Sequence, residues 1–190
     1  MDGLIGALIG GFFTAIVTYL GWKRASEETA KNNMAQYRKN QIDEFYGPLL
    51  GYLRYSQEIF DIARQKLPTK EGEDGLLHVD TSQFSRTRNG IEHSKIWDFF
   101  HTQYFMRINS DVVRLLNQKR YYAETPDLNE IIDAFLDHES HGNCLHNMWT
   151  HLNEPSDEIT DNGYPKGFEE LVAKEYGELN REYRTLSGIC

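Results

Sequence analysis

One short segment of this sequence combines residue types that could act on a phosphate group. Residues 88–93 read Arg-Asn-Gly-Ile-Glu-His. The guanidinium of Arg88 carries a fixed positive charge and can bind two phosphoryl oxygens at once. His93 titrates near neutral pH and can transfer a proton, and Asn89 could orient the arginine. These three residues are therefore candidate catalytic residues for phosphodiester cleavage.

The segment resembles the R-N-x-x-x-H motif of the HEPN ribonuclease superfamily, whose domains are α-helical bundles. This resemblance implies a metal-independent cleavage of RNA that leaves a 2′,3′-cyclic phosphate, at a site completed across a dimer. Two other interpretations stay open. So short a motif recurs by chance, and a histidine where a helix begins could be a capping or surface residue.

The first part of the chain predicts a membrane anchor. Residues 3–22 carry no charge, and Lys23 and Arg24 follow directly. Twenty helical residues span about 30 Å, the hydrocarbon thickness of a bilayer. An acidic residue stands where a signal peptide has its basic region, and no small-residue cleavage site follows. We therefore expect one uncleaved transmembrane helix.

The flanking residues predict the orientation of that helix. A basic pair on its C-terminal side favours an N-terminus outside and a C-terminal domain in the cytoplasm. Tyr19 and Trp22 are placed to lie at the membrane interface with Lys23 and Arg24. The expected location is the cell inner membrane, with the lipid bilayer as a partner.

Small residues lie on one face of the predicted helix at steps of three and four positions. They are Gly3, Gly6, Ala7, Gly10, Gly11, Thr14 and Thr18. Such small-xxx-small pairs let helix backbones approach and pack in a membrane. The pattern predicts self-association, and a ring of such helices could turn the threonines toward a lumen. Glycine is also generally frequent in membrane helices, which is the alternative.

Composition limits the kinds of partner and compartment that are expected. The net charge of the whole chain, −9, does not favour sequence-independent binding to nucleic acid, so we predict no DNA partner. Two cysteines are too few for a disulfide framework and are typical of a reducing compartment. The histidine-rich stretch around His141, Cys144 and His151 lacks a second ligand-bearing element. We predict no metal and no cofactor.

The hydrophobic periodicity predicts an all-α fold with five helices and no strand. The expected domains are a transmembrane helix (1–22), a helical stalk (23–40) and a cytosolic helical bundle (41–190). Pro48 predicts a kink or restart, and a third helix is expected over about 92–106.

The later boundaries follow from capping signals. Asn109, Ser110 and Asp111 predict the N-cap of a short helix. Thr125 and Pro126 predict the start of a helix that reaches about Leu152. An acidic loop over 153–166 precedes the last helix, which ends near Gly188.

The membrane helix, the cytosolic bundle and the 88–93 motif together resemble small CRISPR-associated membrane proteins, in particular the accessory membrane proteins of type VI-B systems. The resemblance implies a ring-like homo-oligomer that forms a membrane pore and supports antiviral defence by an RNA-guided CRISPR nuclease or its RNA products. A related possibility is the type III membrane effector gated by a cyclic oligoadenylate. The alternatives are a membrane-tethered HEPN-type ribonuclease and an adaptor without activity, so whether the chain is an enzyme stays open.

Overall fold

The computed structural model describes residues 2–72, 77–152 and 164–189, without the side chains of 2–15, 77, 149 and 152. The described chain is mostly helical, as the periodicity predicted, with four short strands. It divides into two compact units, Met1–Ile42 with Gly177–Cys190 and Asp43–Tyr176.

The first unit consists of a long helix and the end of the last one. Helix α1 covers Asp2–Gln41, so one helix contains both the uncharged run and the predicted stalk. The predicted boundaries at 22 and 40 stay predictions. Among the residues whose side chains are described, no helix is long and apolar enough to cross a membrane. Most of the predicted span, 3–22, lies outside those residues.

Among the described side chains of α1, from residue 16 onward, burial begins only toward the end of the helix. Ala35 and Gln41 are buried, as is Leu179 near the other end of this unit. Arg38 pairs with Glu182 at 2.9 Å and donates to Gln41 Oε1 at 2.7 Å. The pair of Arg38 with Glu182 thus joins the end of α1 to the last helix within the first unit.

The second unit begins with a widened helical turn. A π-helical turn, Ile42–Tyr46, directly precedes helix α2, Gly47–Arg64. Pro48 in the first turn of α2 has no N–H, and its ring would clash with the carbonyl four residues earlier in a regular helix. The interruption expected near Pro48 therefore takes the form of a π-turn, one of the recognised causes of irregular helix geometry.

Two small antiparallel hairpins follow α2. Strands β1 (Thr69–Glu71) and β2 (Leu77–Val79) pair with Thr69 opposite Val79. Strands β3 (Thr87–Arg88) and β4 (Ile91–Glu92) pair with Arg88 opposite Ile91. The prediction of no strand is therefore wrong. Strands of two or three residues are too short to show an alternating pattern, so hydrophobic periodicity does not reveal them.

The prediction of two separate helices around residue 109 is also wrong. Helix α3 (His93–Phe100), a second π-helical turn (His101–Phe105) and helix α4 (Met106–Lys119) follow one another without a loop. Asn109 does not cap a helix; its amide donates to Glu139 Oε1 at 2.5 Å. Asp111 accepts from Arg114 at 2.7 Å, one helical turn away. These polar side chains bond elsewhere, so they do not mark a helix start.

The last two helices agree with the sequence signals. Helix α5 covers Pro126–Leu152, and Thr125 Oγ1 accepts from the backbone N–H of Leu128 at 3.3 Å. That is the expected N-cap geometry. Helix α6 covers Phe168–Ser187. Gly188 then adopts φ +71°, a left-handed helix end that glycine favours. Most of the predicted acidic loop, 153–163, lies outside the described residues.

The core of the second unit is built from helix faces with residues three or four positions apart. In α4 these are Ile108, Val112 and Leu116, and in α5 they are Leu128, Ile132 and Phe135. Each such side chain contributes roughly 1.5–3 kcal/mol on burial. The spacing places all three of each set on one side of their helix.

A carboxylate buried in this core joins three elements. Glu175 of α6 is 6 % exposed and accepts a hydrogen bond from the Tyr46 hydroxyl at 2.7 Å. Thr125 Oγ1 donates to the other oxygen of the same carboxylate. Burial, and then the bond to Glu175, raise the pKa of the Tyr46 phenol far above its ordinary value. The phenol therefore stays protonated and remains a donor.

We predict that Tyr46→Phe lowers the free energy of unfolding by about 1–3 kcal/mol, because a buried acceptor loses its donor. Urea unfolding of the full chain, followed by circular dichroism, measures this. Tyr55→Phe is the matched control, since Tyr55 is 47 % exposed and should change stability little. Equal effects of the two substitutions would contradict the role given to the Tyr46 hydroxyl.

Candidate functional site

The residues of the 88–93 motif form a tight hairpin. Asn89 and Gly90 are the two loop residues between β3 and β4, with φ values of +51° and +79°. A two-residue loop with positive φ at both positions is typical of a type I′ turn, for which Asn-Gly is the preferred pair. Asn89 therefore has a backbone reason to be where it is. The Asn-Gly pair was the signal that could have predicted this hairpin.

Arg88 binds the end of a neighbouring helix. Its Nη1 donates to the carbonyl oxygen of Gln65 at 2.8 Å, and Gln65 is the residue directly after α2. Carbonyl groups at a helix C-terminus lack helical partners and carry partial negative charge, so a guanidinium there is favourable. Arg88 is exposed, so this contact leaves it accessible to solvent.

His93 is the first residue of α3 and makes a different contact. Its ring Nδ1 lies 3.1 Å from the carbonyl oxygen of Gln83, and its backbone N–H donates to Arg86 O at 2.9 Å. The side chains of Arg88 and His93 thus bond to two separate backbone carbonyls. Their assignment as catalytic residues stays a prediction.

The described part of the small-residue helix is uncovered. Every side chain from 16 to 34 in α1 is exposed, including Thr18 of the small-residue face. The other predicted packing residues, Gly3, Gly6, Ala7, Gly10, Gly11 and Thr14, lie outside the described side chains. The exposed stretch is therefore a helix without tertiary packing within the described chain.

The predicted membrane-interface residues lie together on this uncovered helix. The rings of Tyr19 and Trp22 are 6.5 Å apart, and Trp22 is 68 % exposed. Lys23 pairs with Glu27 at 3.9 Å, and Arg24 is also exposed. Two aromatic rings beside a basic pair are the side chains that membrane interfaces favour.

The described residues show little else that could bind a ligand. No group of three or more His, Cys, Asp or Glu side chains among them is arranged to hold a metal ion. One open groove of about 530 Å³ is lined by α5 and residues 165–171, with Asp127, Glu130 and Lys166 at its wall. None of the predicted site residues lies in it.

The fold also brings the histidine-rich stretch of α5 into a contact that sequence reasoning missed. The rings of His101 and His146 are 5.5 Å apart, although the two residues are far apart in sequence. Glu139, earlier in α5, is buried. Periodicity within one helix carries no information about such a contact, so the sequence offered no signal for it.

Comparison with known proteins identified no relative. The chain matches no protein-family model, no curated protein and no solved structure.

The two roles of Asn89 can be separated by substitution. If it serves the turn, Asn89→Ala costs roughly 1–2 kcal/mol, because alanine disfavours the left-handed region. Asn89→Gly should leave the free energy of unfolding within a few tenths of a kcal/mol of the parent's, since glycine adopts positive φ readily. Thermal unfolding of both variants measures this. A loss of stability in Asn89→Gly as large as in Asn89→Ala would show that the amide side chain matters instead.

Proposed function

We propose that this chain is a single-pass membrane protein whose N-terminal helices self-associate into a homo-oligomeric, pore-forming assembly. The observation that carries the proposal is the uncovered helix over 16–34, which continues an uncharged run of bilayer length. The proposed partners are the lipid bilayer and further copies of the same chain. The antiviral setting rests on the resemblance to CRISPR-associated membrane proteins alone.

The energetics of an uncovered helix support this proposal. Most helical stability in proteins comes from packing of one face, and the described helix over 16–34 has no such packing. The local contacts here are an exposed ion pair, Lys23 with Glu27, and a bond from Thr29 to Ala25 O at 2.8 Å. An ion pair of this kind contributes about 0.3–0.5 kcal/mol. A bilayer and neighbouring helices would supply the missing packing.

The apolar side chains at the start of the described helix support the same proposal. Ile16, Val17 and Leu20 are exposed, and exposed large apolar side chains in contiguous patches mark interaction or membrane surfaces. Burying each of them in lipid would contribute roughly 1.5–3 kcal/mol. Tyr19 and Trp22 would then stand at the interface, with Lys23 and Arg24 on its cytoplasmic side.

The ribonuclease alternative has less support. Arg88 and His93 each have a contact that accounts for their position without catalysis, to Gln65 and Gln83 respectively. Asn89 is accounted for by its turn conformation. No contact among the described residues joins the two side chains to each other.

The first experiment is the mass of the detergent-purified protein, followed by imaging of the particles. The proposal expects a closed ring with the N-terminal helices at its axis, and leakage of a small dye from liposomes that contain it. A monomer or a dimer would overturn the pore. A ring that causes no dye leakage would overturn the proposed pore formation but not the proposed self-association.

A matched pair of variants tests the small-residue face. Gly6→Ile with Gly10→Ile should shift the assembly to smaller species and reduce dye leakage at least tenfold, because close backbone approach is lost. Ala15→Ile is the control: it makes the same small-to-large change about 100° away on the helix, off that face. Equal losses in both variants would argue for a general defect in insertion. Carbonate extraction reports insertion separately.

A further inference from the structure

Two histidines meet where helix α5 contacts the second π-helical turn, and two further titratable side chains lie earlier on α5. His101 of that turn stacks on Trp97 with ring centroids 6.3 Å apart and lies 5.5 Å from the ring of His146. On the same stretch of α5, His138 Nε2 is 3.9 Å from Glu139 Oε1. Asn109 of α4 holds the Glu139 carboxylate.

The C-terminal half of α5 shows little other attachment among its described side chains. None of the described side chains from 140 to 151 is buried, in contrast to Leu128, Ile132 and Phe135 earlier in the same helix. Gly142 lies near the start of this half, with nothing within 4 Å of where its Cβ would be. Glycine there weakens the helix by roughly 0.5–1 kcal/mol relative to alanine. Segments with few buried contacts are those that open locally.

A charge on the ring contact between His101 and His146 would weaken it. Two imidazolium groups this close repel each other, and a charge on the half-buried His101 also loses solvation. The surroundings of His101 therefore favour its neutral form.

We propose that the His101–His146 contact is a proton-sensitive latch that holds residues 140–152 of α5 on the second π-helical turn and releases them on mild acidification. This proposal is independent of the pore, because it concerns contacts within the second unit only.

The direction of this pH dependence follows from the titratable groups that face His101. Burial first, then the nearby His146 and more weakly His138, lower its pKa, while Asp98 of α3 opposes them. The attached form therefore binds fewer protons than the detached form, in which the pKa returns to about 6.5. Attachment is strongest above that pH and is lost as the pH falls from about 6.5 through the lowered pKa.

Glu139 directly precedes the released segment, and loss of its burial on release would act in the opposite sense. Burial raises its pKa, against the effects of His138 and Asn109, so a Glu139 that is buried only in the attached form binds its proton more readily there. Its contribution to attachment is present at low pH and lost as the pH rises through the raised pKa. Glu139→Gln removes this titration while keeping an acceptor for Asn109, and so isolates the histidine contribution.

Hydrogen exchange of the full chain in detergent tests the latch. Protection factors, corrected for the intrinsic rate at each pH, are compared at pH 7.5 and 5.5. We expect protection over 140–151 to fall by up to about tenfold, the limit for one proton that binds only to the detached form with a pKa of about 6.5. Protection over 106–119 should stay unchanged. A pH-independent segment, or a parallel loss over 106–119, would overturn the proposal.

Variants of the two histidines test whether they cause the pH dependence of protection. His101→Gln with His146→Gln should remove the pH dependence, and His101→Gln alone serves if the double variant does not fold, because His101 is the residue whose pKa is lowered by burial. His151→Gln is the matched control, an exposed histidine on the same segment, and should leave the dependence intact. Gly142→Ala should raise protection at both pH values and keep their ratio. Persistence of the fall in both His101 variants would overturn the latch.

Discussion

The second unit depends on one carboxylate that is removed from water. Glu175 accepts hydrogen bonds from Tyr46 beside the first π-helical turn and from Thr125 at the start of α5. An unsatisfied buried carboxylate would be strongly unfavourable. The three elements must therefore keep their relative positions for the carboxylate to keep its donors. The apolar stripes supply most of the stability, but they slide and repack more easily than a pair of directed bonds.

Much of this unit could be predicted from local chemistry. Thr125 and Pro126 mark the start of α5 because a hydroxyl cap and a residue without an N–H suit the first turn of a helix. Gly188 marks the end of α6 for a comparable backbone reason. These signals depend only on neighbouring residues, so they remain valid whatever the tertiary structure is. Pro48 likewise predicted an interruption, although not its π-helical form.

The errors have a different physical origin. Asn109 and Asp111 resemble cap residues, yet their side chains find partners in Glu139 and Arg114. A polar side chain chooses among local and distant partners, and the sequence shows only the local ones. The same holds at the candidate catalytic residues. Arg88 and His93 have types and spacing suited to catalysis, but each contacts a distant backbone carbonyl that the spacing could not reveal. The turn conformation of Asn89 could have been predicted from the Asn-Gly pair.

The exposed part of α1 has a consequence for how an acidic protein could lie near a membrane. From Lys23 to Ala35, the first buried residue among the described side chains, the helix rises about 18 Å at 1.5 Å per residue. The Debye length at physiological ionic strength is about 8 Å, and the cytoplasmic leaflet is negatively charged. In the proposed anchored form, this stretch of helix is about two Debye lengths long. Over that distance, dissolved salt screens most of the repulsion between the leaflet and the acidic residues that follow in the chain. The length of this helix would then relieve an electrostatic repulsion that a shorter connection would impose on a chain of net charge −9.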